Sequence, residues 1–332
     1  MIRVAINGFG RIGQMIFRLM LTRDEFPDME LVAINDLAAV RDLARRMQRD
    51  SVYGSLGLDA QAILGTGIRM CAEKDPAALP WRELNVDLVF DATGRFTTQA
   101  DLGKHIDAGA KKVMLTAPTK DPNIPMVVRC VNDELVKGAP IVSNASCTTN
   151  CVAPVCYILH KAYGIKWGHL VTVHAVTNSQ MLFDGFGAKD PRGARGCMDS
   201  IIPASTGAAK AVGVVIPDLK GRIDGFAARV PVKTGSYAFL DLDLRAQVKD
   251  AADVNAMIRR GIDLYQMFDM VEYTEDDQFV SHDVSGMTFG SVVSGDLTKV
   301  AKDGENVKIH CWYDNEMGYT YQMLQVAKKM FE

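Results

Sequence analysis

No apolar run in this chain approaches the ~18 residues that a membrane-spanning helix needs, which excludes a helical membrane protein. An excess of one charge is missing as well. The sequence sets 37 Lys and Arg against 40 Asp and Glu, interspersed, for a net charge of −3. Without a basic face there is no electrostatic footprint for nucleic acid. The densest basic stretch, residues 41–49, contains Asp42 and reads as the solvated face of a helix. Paired cysteine spacing is also lacking: the seven cysteines are scattered and odd in number. That argues against a disulfide framework and for reduced thiols in the cytoplasm. Residues 2–6 enter a strand directly, with no apolar secretory segment ahead of them, which again leads us to expect a cytoplasmic protein. Neither an internal repeat nor a low-complexity tract is present. What the chain does have is length and apolar content, and 332 residues at 48% hydrophobic predict two domains of ordinary size.

The apolar run over 2–6 leads straight into Gly8-Phe9-Gly10-Arg11-Ile12-Gly13, after which Ile12, Met15, Ile16 and Leu19 recur on one helical face. A second strand over 31–35 ends at Asp36, and further short strands are expected at 88–90, 113–116 and 141–142, with helices between them. Alternating strands and helices predict a doubly wound parallel sheet of Rossmann type. Beyond residue 164 the texture changes. Strands at 170–176, 225–230, 237–244 and 307–312 cluster, with a helix over 253–262 and a final helix from Glu316 onward. This predicts an α+β domain with a mostly antiparallel sheet and helices on one face. The Gly-, Ala- and Arg-rich stretch 183–195 is expected to be a long ordered loop or an interface segment.

Ser143-Asn144-Ala145-Ser146-Cys147-Thr148-Thr149-Asn150-Cys151 joins the strand at 141–142 to a helix in which Val152, Val155, Cys156 and Leu159 recur until Gly164. Cys147 therefore falls in a strand-to-helix turn, where open backbone N–H groups and the helix dipole favour an anion. The expectation is a thiol pKa lowered from its free value near ~8.5. Read alone, Cys147 and Cys151 are equally a pair of small helical residues. As a metal pair they need further ligands, and His160 lies several turns away, so no metal is expected. Gly8, Gly10 and Gly13 have the spacing of the dinucleotide fingerprint: a tight turn, a close backbone approach to pyrophosphate, and close helix–strand packing. Asp36, closing the next strand, supplies the acidic residue that accepts from ribose hydroxyls and repels a 2′-phosphate, which favours NAD over NADP. His174 stands in an apolar alternating run and is either a satisfied core histidine or the base that a thiol nucleophile requires. The stretch 201–210 places hydroxyls and a glycine before a helix, as an anion pocket or as a capped helix start. Arg195 and Arg229 are isolated arginines, and Asn315, an amide at the entrance to the final helix, would by itself suggest only a cap.

Taken together, the motifs resemble the phosphorylating glyceraldehyde-3-phosphate dehydrogenase family across the whole chain. INGFGRIG at 6–13, IND at 34–36, ATG at 92–94, SNASCTTNC at 143–151, TVHAVT at 172–177, IIPASTGAAKAVG at 201–213, RVP at 229–231 and WYDNE at 312–316 occur in family order. The resemblance implies that Cys147 is the nucleophile and His174 its partner. It places Gly8, Gly10, Arg11, Ile12, Asp36, Thr116 and Asn315 at NAD. For inorganic phosphate it implies Ser146, Thr148, Thr206 and Gly207, and for the substrate's own phosphate Thr177, Ser179 and Arg229, with Arg195 between the two. It further implies an NAD-binding domain over 1–146 joined by the C-terminal helix at 313–332, a catalytic domain over 147–312, and a homotetramer. The expected reaction is oxidation of glyceraldehyde 3-phosphate through a cysteine thiohemiacetal and thioester. Other readings are a paralogue for another phosphorylated aldehyde such as erythrose 4-phosphate, an inhibitor-resistant paralogue, or an NAD-binding protein without turnover. Departures from the family pattern fall at Ser179, at 181–187 (with Phe186 where many NAD-using members have proline) and at 232–239.

Overall fold

The computed structural model describes residues 1–57, 62, 65, 67–186 and 190–332. The chain divides into two compact units, the first comprising 1–127, 134–145 and 323–332, the second 128–133 and 146–322. In the first unit, β1 (Ile2–Asn7), β2 (Met29–Asn35), β3 (Arg69–Cys71), β4 (Leu88–Asp91), β5 (Lys112–Leu115) and β6 (Ile141–Ser143) form one sheet. Its strand order is β3-β2-β1-β4-β5-β6 and every pairing is parallel. The helices α1 (Arg11–Thr22), α2 (Val40–Gln48) and α3 (Gln99–Asp107) lie in the crossovers. Parallel strands covered on both faces need apolar side chains on both. Accordingly β4 and β6 are buried at every position. The order reverses between β1 and β4, the switch point at which a doubly wound sheet opens a crevice at its carboxyl edge.

Helix α1 buries Gly13, Met15, Ile16, Phe17 and Leu19; of the face that the sequence periodicity picks out, Met15, Ile16 and Leu19 are buried and Ile12 is half-buried. Two glycines of the β1–α1 turn are fixed by packing. Gly8 has φ +93°, and a Cβ on it would meet the Thr93 amide nitrogen at 2.7 Å; a Cβ on Gly13 would meet the Gly8 carbonyl oxygen at 2.2 Å.

The second unit carries β7 (Ile165–Ala175), β8 (Ile202–Ser205), β9 (Ile223–Val230), β10 (Ser236–Leu244), β11 (Val271–Thr274), β12 (Ser291–Ser294), β13 (Lys299–Val300) and β14 (Asn306–Tyr313). The order is β11-β12-β14-β10-β7-β9-β8, with β13 added beside β14. Only the β7–β9 and β11–β12 pairings are parallel. Helices α4 (Cys147–Tyr163), α5 (Ala208–Val215) and α6 (Ala251–Leu264) belong to this unit, and α7 (Met317–Lys329) begins in it and ends in the first. Burial alternates strictly along β10 and β14, the period-2 pattern of a sheet with one face on the core. On β7 the alternation puts Leu170, Thr172 and His174 on the buried face.

Strand β7 starts at Ile165, five residues ahead of the expected 170, directly after Gly164 ends α4 at φ 72°. Its first turn carries exposed Lys166 and Trp167, so no apolar run marks it. Strands β3, β8 and β11 to β13 have two to four residues each, too short for periodicity to reveal. Within the stretch 183–195, Asp190 caps a 3-10 turn over Pro191–Ala194 and Gly185 N–H donates to the Ala194 carbonyl. Residues 187–189 of that stretch lie outside the described residues.

Candidate active site

Ser146 is the N-cap of α4: its side-chain oxygen accepts from the Thr149 N–H at 3.1 Å. Capping of this kind stabilises a helix by about 1 kcal/mol and fixes where its first turn begins. Cys147 is consequently the first helical residue. Its Sγ lies 3.3 Å from His174 Nε2, brought up from the end of β7. Thr148 adds a hydroxyl and a backbone N–H to the sulfur's surroundings. That hydroxyl also meets the buried Tyr313 hydroxyl at 2.8 Å, and Tyr313 in turn meets Thr172 at 2.8 Å. The tyrosine thus clamps the first turn of α4 onto the sheet.

The other face of the imidazole meets Arg229. The parallel β7–β9 register sets His174 opposite Arg229. His174 Nδ1 lies 2.6 Å from Arg229 Nη1 and 2.7 Å from the Ala175 carbonyl oxygen, which Arg229 Nη1 also approaches at 3.2 Å. A guanidinium only donates and a carbonyl only accepts, so Nδ1 can satisfy one of them at a time. With its proton on Nδ1, His174 donates to Ala175 and turns a bare Nε2 to the Cys147 S–H. When it accepts from Arg229, it turns an Nε2–H to the sulfur instead. Arg229 Nε is buried without a hydrogen-bond partner among the described residues.

Burial and the adjacent Arg229 charge lower the His174 pKa to about 4, against a smaller opposing effect of the Ala175 carbonyl. His174 is therefore neutral at pH 7. Burial pushes the Cys147 thiol up, and Arg229 and the Thr148 donors offset this only in part. This corrects the expectation of a lowered thiol pKa. Removing sulfur from water penalises the thiolate more than the helix start and its neighbours favour it. In the resting pair the proton stays on sulfur, with a neutral acceptor 3.3 Å away.

Thr177 and Ser179 lie just beyond β7, exposed, with their hydroxyls 2.9 Å apart. Thr206 Oγ1 accepts from the Ala208 N–H at 3.1 Å, and Gly207 is the N-cap of α5 with open space where a side chain would stand. Arg195 sits on an exposed loop with its Nε 3.1 Å from Asp184 Oδ1, and no bond joins it to Cys147, His174 or Arg229 among the described residues. Asn315 is buried, and its Oδ1 accepts from Ser236 Oγ at 3.0 Å; the same Ser236 oxygen accepts from the Ala175 N–H. Sequence reasoning missed Ser236 and Tyr313. A polar residue at a buried-parity position of an alternating strand is the signal that singles out each.

In the first unit, Gly8, Gly10 and Asp36 border a pocket of about 500 Å³ together with Asn7, Asn35, Leu37, Glu73, Lys74, Ala92, Thr93, Arg95 and Phe96. The pocket fits a dinucleotide on three counts. Gly10 is the N-cap of α1, without a side-chain cap, and a Cβ on it would meet nothing within 4 Å, so backbone can come close to a pyrophosphate. Arg11 and Ile12 open the helix, at the positive end of its dipole that favours a pyrophosphate, and the Arg11 guanidinium lies 2.8 Å from Asp50. Asp36 is oriented by the Phe9 and Ala38 N–H groups at 2.8 and 2.9 Å, one per carboxylate oxygen, which leaves capacity on each for ribose hydroxyls. Thr116 follows β5, with its N–H on the Asp91 carbonyl, outside this lining.

Comparison with known proteins agrees with this arrangement. The family model described as glyceraldehyde 3-phosphate dehydrogenase, NAD binding domain, matches residues 2–99, and that of the C-terminal domain matches residues 146–315. A glyceraldehyde-3-phosphate dehydrogenase of Streptomyces coelicolor is 44% identical over 98% of this chain and 97% of the relative. That of Geobacillus stearothermophilus is 41% identical with the same coverage. The cytosolic enzyme of Leishmania mexicana is 42% identical over 98% of both chains. With both family models matched in chain order and relatives aligned from end to end, the chain belongs to the glyceraldehyde-3-phosphate dehydrogenase family.

Proposed function

We propose that this chain oxidises glyceraldehyde 3-phosphate to 1,3-bisphosphoglycerate, using NAD and inorganic phosphate, as a step of glycolysis and gluconeogenesis. The observation that carries this reading is the Cys147–His174 pair at the start of α4, 3.3 Å apart, with Arg229 on the far ring nitrogen. Residues 1–146 and the C-terminal helix at 313–332 form the NAD-binding part, and residues 147–312 the catalytic part. NAD is held by Gly8, Gly10, Arg11, Ile12 and Asp36, and the family resemblance assigns cofactor contacts to Thr116 and Asn315 as well.

Cys147 attacks the aldehyde carbon while its proton passes to His174 Nε2, which gives a thiohemiacetal. The oxyanion that develops is met by His174 Nε2–H and the Cys147 backbone N–H, and Nε2 returns the proton to it as the thiohemiacetal hydroxyl forms, which leaves the imidazole neutral again. The substrate's phosphate pairs with Arg229, Thr177 and Ser179. Sharing the Arg229 charge with a phosphate relieves its pressure on His174, so binding makes the imidazole more basic when a proton must be taken. The chemistry that NAD supplies when bound is acceptance of a hydride. His174 takes the hydroxyl proton of the thiohemiacetal as the carbon gives up its hydride, and that carbon becomes a thioester on Cys147. Inorganic phosphate, held at the helix starts by Ser146, Thr148, Thr206 and Gly207 with Arg195, cleaves that thioester and returns Cys147 to the thiol.

A thiol nucleophile of this kind suits a reducing compartment such as the cytoplasm. The chain works as a homo-oligomer, a tetramer by family resemblance. Exposed Leu182, Phe183, Phe186, Met198 and Ile201 in one stretch support this, because apolar side chains gathered in this way mark contact surfaces. The test is NADH formation from glyceraldehyde 3-phosphate with and without phosphate. Sustained turnover that needs both NAD and phosphate is expected. An equal rate without phosphate would overturn the phosphorylating step.

A further inference from the structure

Beneath the dinucleotide pocket lies a chain of buried polar side chains that the reaction does not use. Three neighbouring strands of the parallel sheet end in one: Asn7 closes β1, Asn35 closes β2 and Asp91 closes β4. The next residues, Gly8, Asp36 and Ala92–Thr93, border the pocket. Asp91, fully buried, is the hub. Its Oδ2 accepts from Asn7 Nδ2 at 2.8 Å, and its Oδ1 from the Thr93 hydroxyl at 2.7 Å and the Thr93 N–H at 3.2 Å. Asn7 Oδ1 accepts from Asn35 Nδ2 at 2.7 Å, and Asn35 Oδ1 from the Glu73 N–H at 2.8 Å. One network therefore ties together the loops after β1, β2, β3 and β4, all at the carboxyl edge where a doubly wound sheet binds its ligand.

The fourth donor to Asp91 is His105 on α3, with Nε2 3.1 Å from Oδ2 and both side chains fully buried. Its tautomer follows from its other neighbour. The Trp81 indole Nε1–H points at His105 Nδ1 at 2.9 Å, and an indole nitrogen only donates. Nδ1 must accept, so Nε2 carries the proton and donates to Asp91. Asn7 Nδ2 lies 3.3 Å from the same Nε2, two donors side by side on one oxygen. Four donors thus fill the four acceptor positions of a carboxylate, and the Asp91 side chain has one orientation.

We propose that His105 is a positioning residue for the dinucleotide pocket: held by Trp81 in a single tautomer, it locks Asp91, and Asp91 sets the loops carrying Gly8, Asp36 and Thr93. The proposal rests on reading that pocket as the NAD site. Loss of the Nε2 donor leaves a buried acceptor unfilled, and Asp91 turns to find another partner, taking Thr93 and Asn7 with it. His105 does not itself line the pocket, so its effect runs through Asp91 and Asn7 to these loops.

Two near-isosteric variants separate this role from simple core packing. In His105→Gln the amide nitrogen takes the place of Nε2 and keeps the bond to Asp91. In His105→Asn the amide oxygen takes the place of Nδ1 and keeps only the bond from Trp81. Kd for NAD is measured by titration, alongside Tm and the iodoacetamide rate at Cys147. We expect H105N to weaken NAD about tenfold, the scale of one hydrogen bond to a charged group, with the Cys147 rate unchanged, and H105Q to stay close to wild type. Equal Kd values for wild type and both variants, or equal losses in both, overturn the proposal. Should H105N not fold, Trp81→Phe tests the same link by removing the donor that fixes the tautomer, and an unchanged Kd in the folded W81F protein overturns it. Wild type that fails to bind NAD at all overturns the reading of the pocket, and the proposal with it.

Discussion

Replacing His174 by glutamine tests the electrostatics of the site through the stability of the fold. Burial first, and Arg229 second, lower the His174 pKa from 6.5 to about 4. That is a shift of about 2.5 pH units, and at 1.36 kcal/mol per unit it amounts to about 3 kcal/mol. The folded pKa lies below the unfolded one, so between pH 6.5 and pH 4 the unfolded chain binds a proton that the folded chain refuses. Stability therefore falls as the pH drops through this window and levels off below about pH 4, where both states are protonated. His174→Gln removes the titrating group and should flatten the curve by about 3 kcal/mol between pH 7 and pH 4. Urea unfolding of both proteins at several pH values in that range reads the difference directly. Parallel curves would refute the reasoning, because His174 could not then be held neutral by burial and Arg229. The same pair of proteins has a kinetic signature. In wild type the acid limb of kcat/KM should sit near pH 4, well below the 6.5 of a free imidazole, and the variant should lose roughly 10²–10⁴-fold in rate.

Cys147→Ser should abolish aldehyde oxidation while NAD binding persists, and wild-type alkylation mapped by peptide analysis should reach Cys147 before the buried Cys151, Cys156 and Cys197; earlier labelling elsewhere with activity retained would remove the mechanism. Arg229→Ala should raise KM for glyceraldehyde 3-phosphate by about tenfold or more and leave unphosphorylated glyceraldehyde little affected, since a charge-assisted contact contributes about 1.5–3 kcal/mol. The same variant should move the acid limb of kcat/KM upward by freeing His174 of the neighbouring charge; equal losses on both substrates would make Arg229 structural. Asp36→Ala should weaken NAD and relax discrimination against NADP, which titration of both cofactors checks; a wild type that already prefers NADP would contradict the role of this carboxylate. Gly10→Ala should lower NAD affinity at unchanged Tm, because its Cβ enters open space at the pocket edge, whereas Gly13→Ala should lower Tm, because its Cβ would press on the Gly8 carbonyl.

Much of the first unit was legible from the sequence because its information is local. Strands buried on both faces read as continuous apolar runs, and the β1–α1 turn announces itself by glycines whose spacing follows from backbone sterics. The start of α4 was legible for a similar reason: Ser146 is a capping residue by type, and Gly164 a natural stop. Short edge strands such as β3, β8 and β13 were not, since two to four residues carry no period. Nor could the first five residues of β7 be read, where Lys166 and Trp167 face out.

The sequence by itself determined the longer elements, the strand-to-helix turn at Cys147 and the dinucleotide turn, because glycine φ and hydrophobic period act over a few residues. Only the tertiary structure decided that Cys147 meets His174 across 27 positions and that the β7–β9 register sets Arg229 against the same ring. It also reversed the expected direction of the thiol pKa, since desolvation depends on what the whole fold packs around a sulfur and not on the helix that carries it. The buried Asp91–His105 pair belongs to the same class. Asp91 and His105 look like ordinary polar residues in the chain, and pairing at zero exposure is a property of the sheet and α3 closing over them.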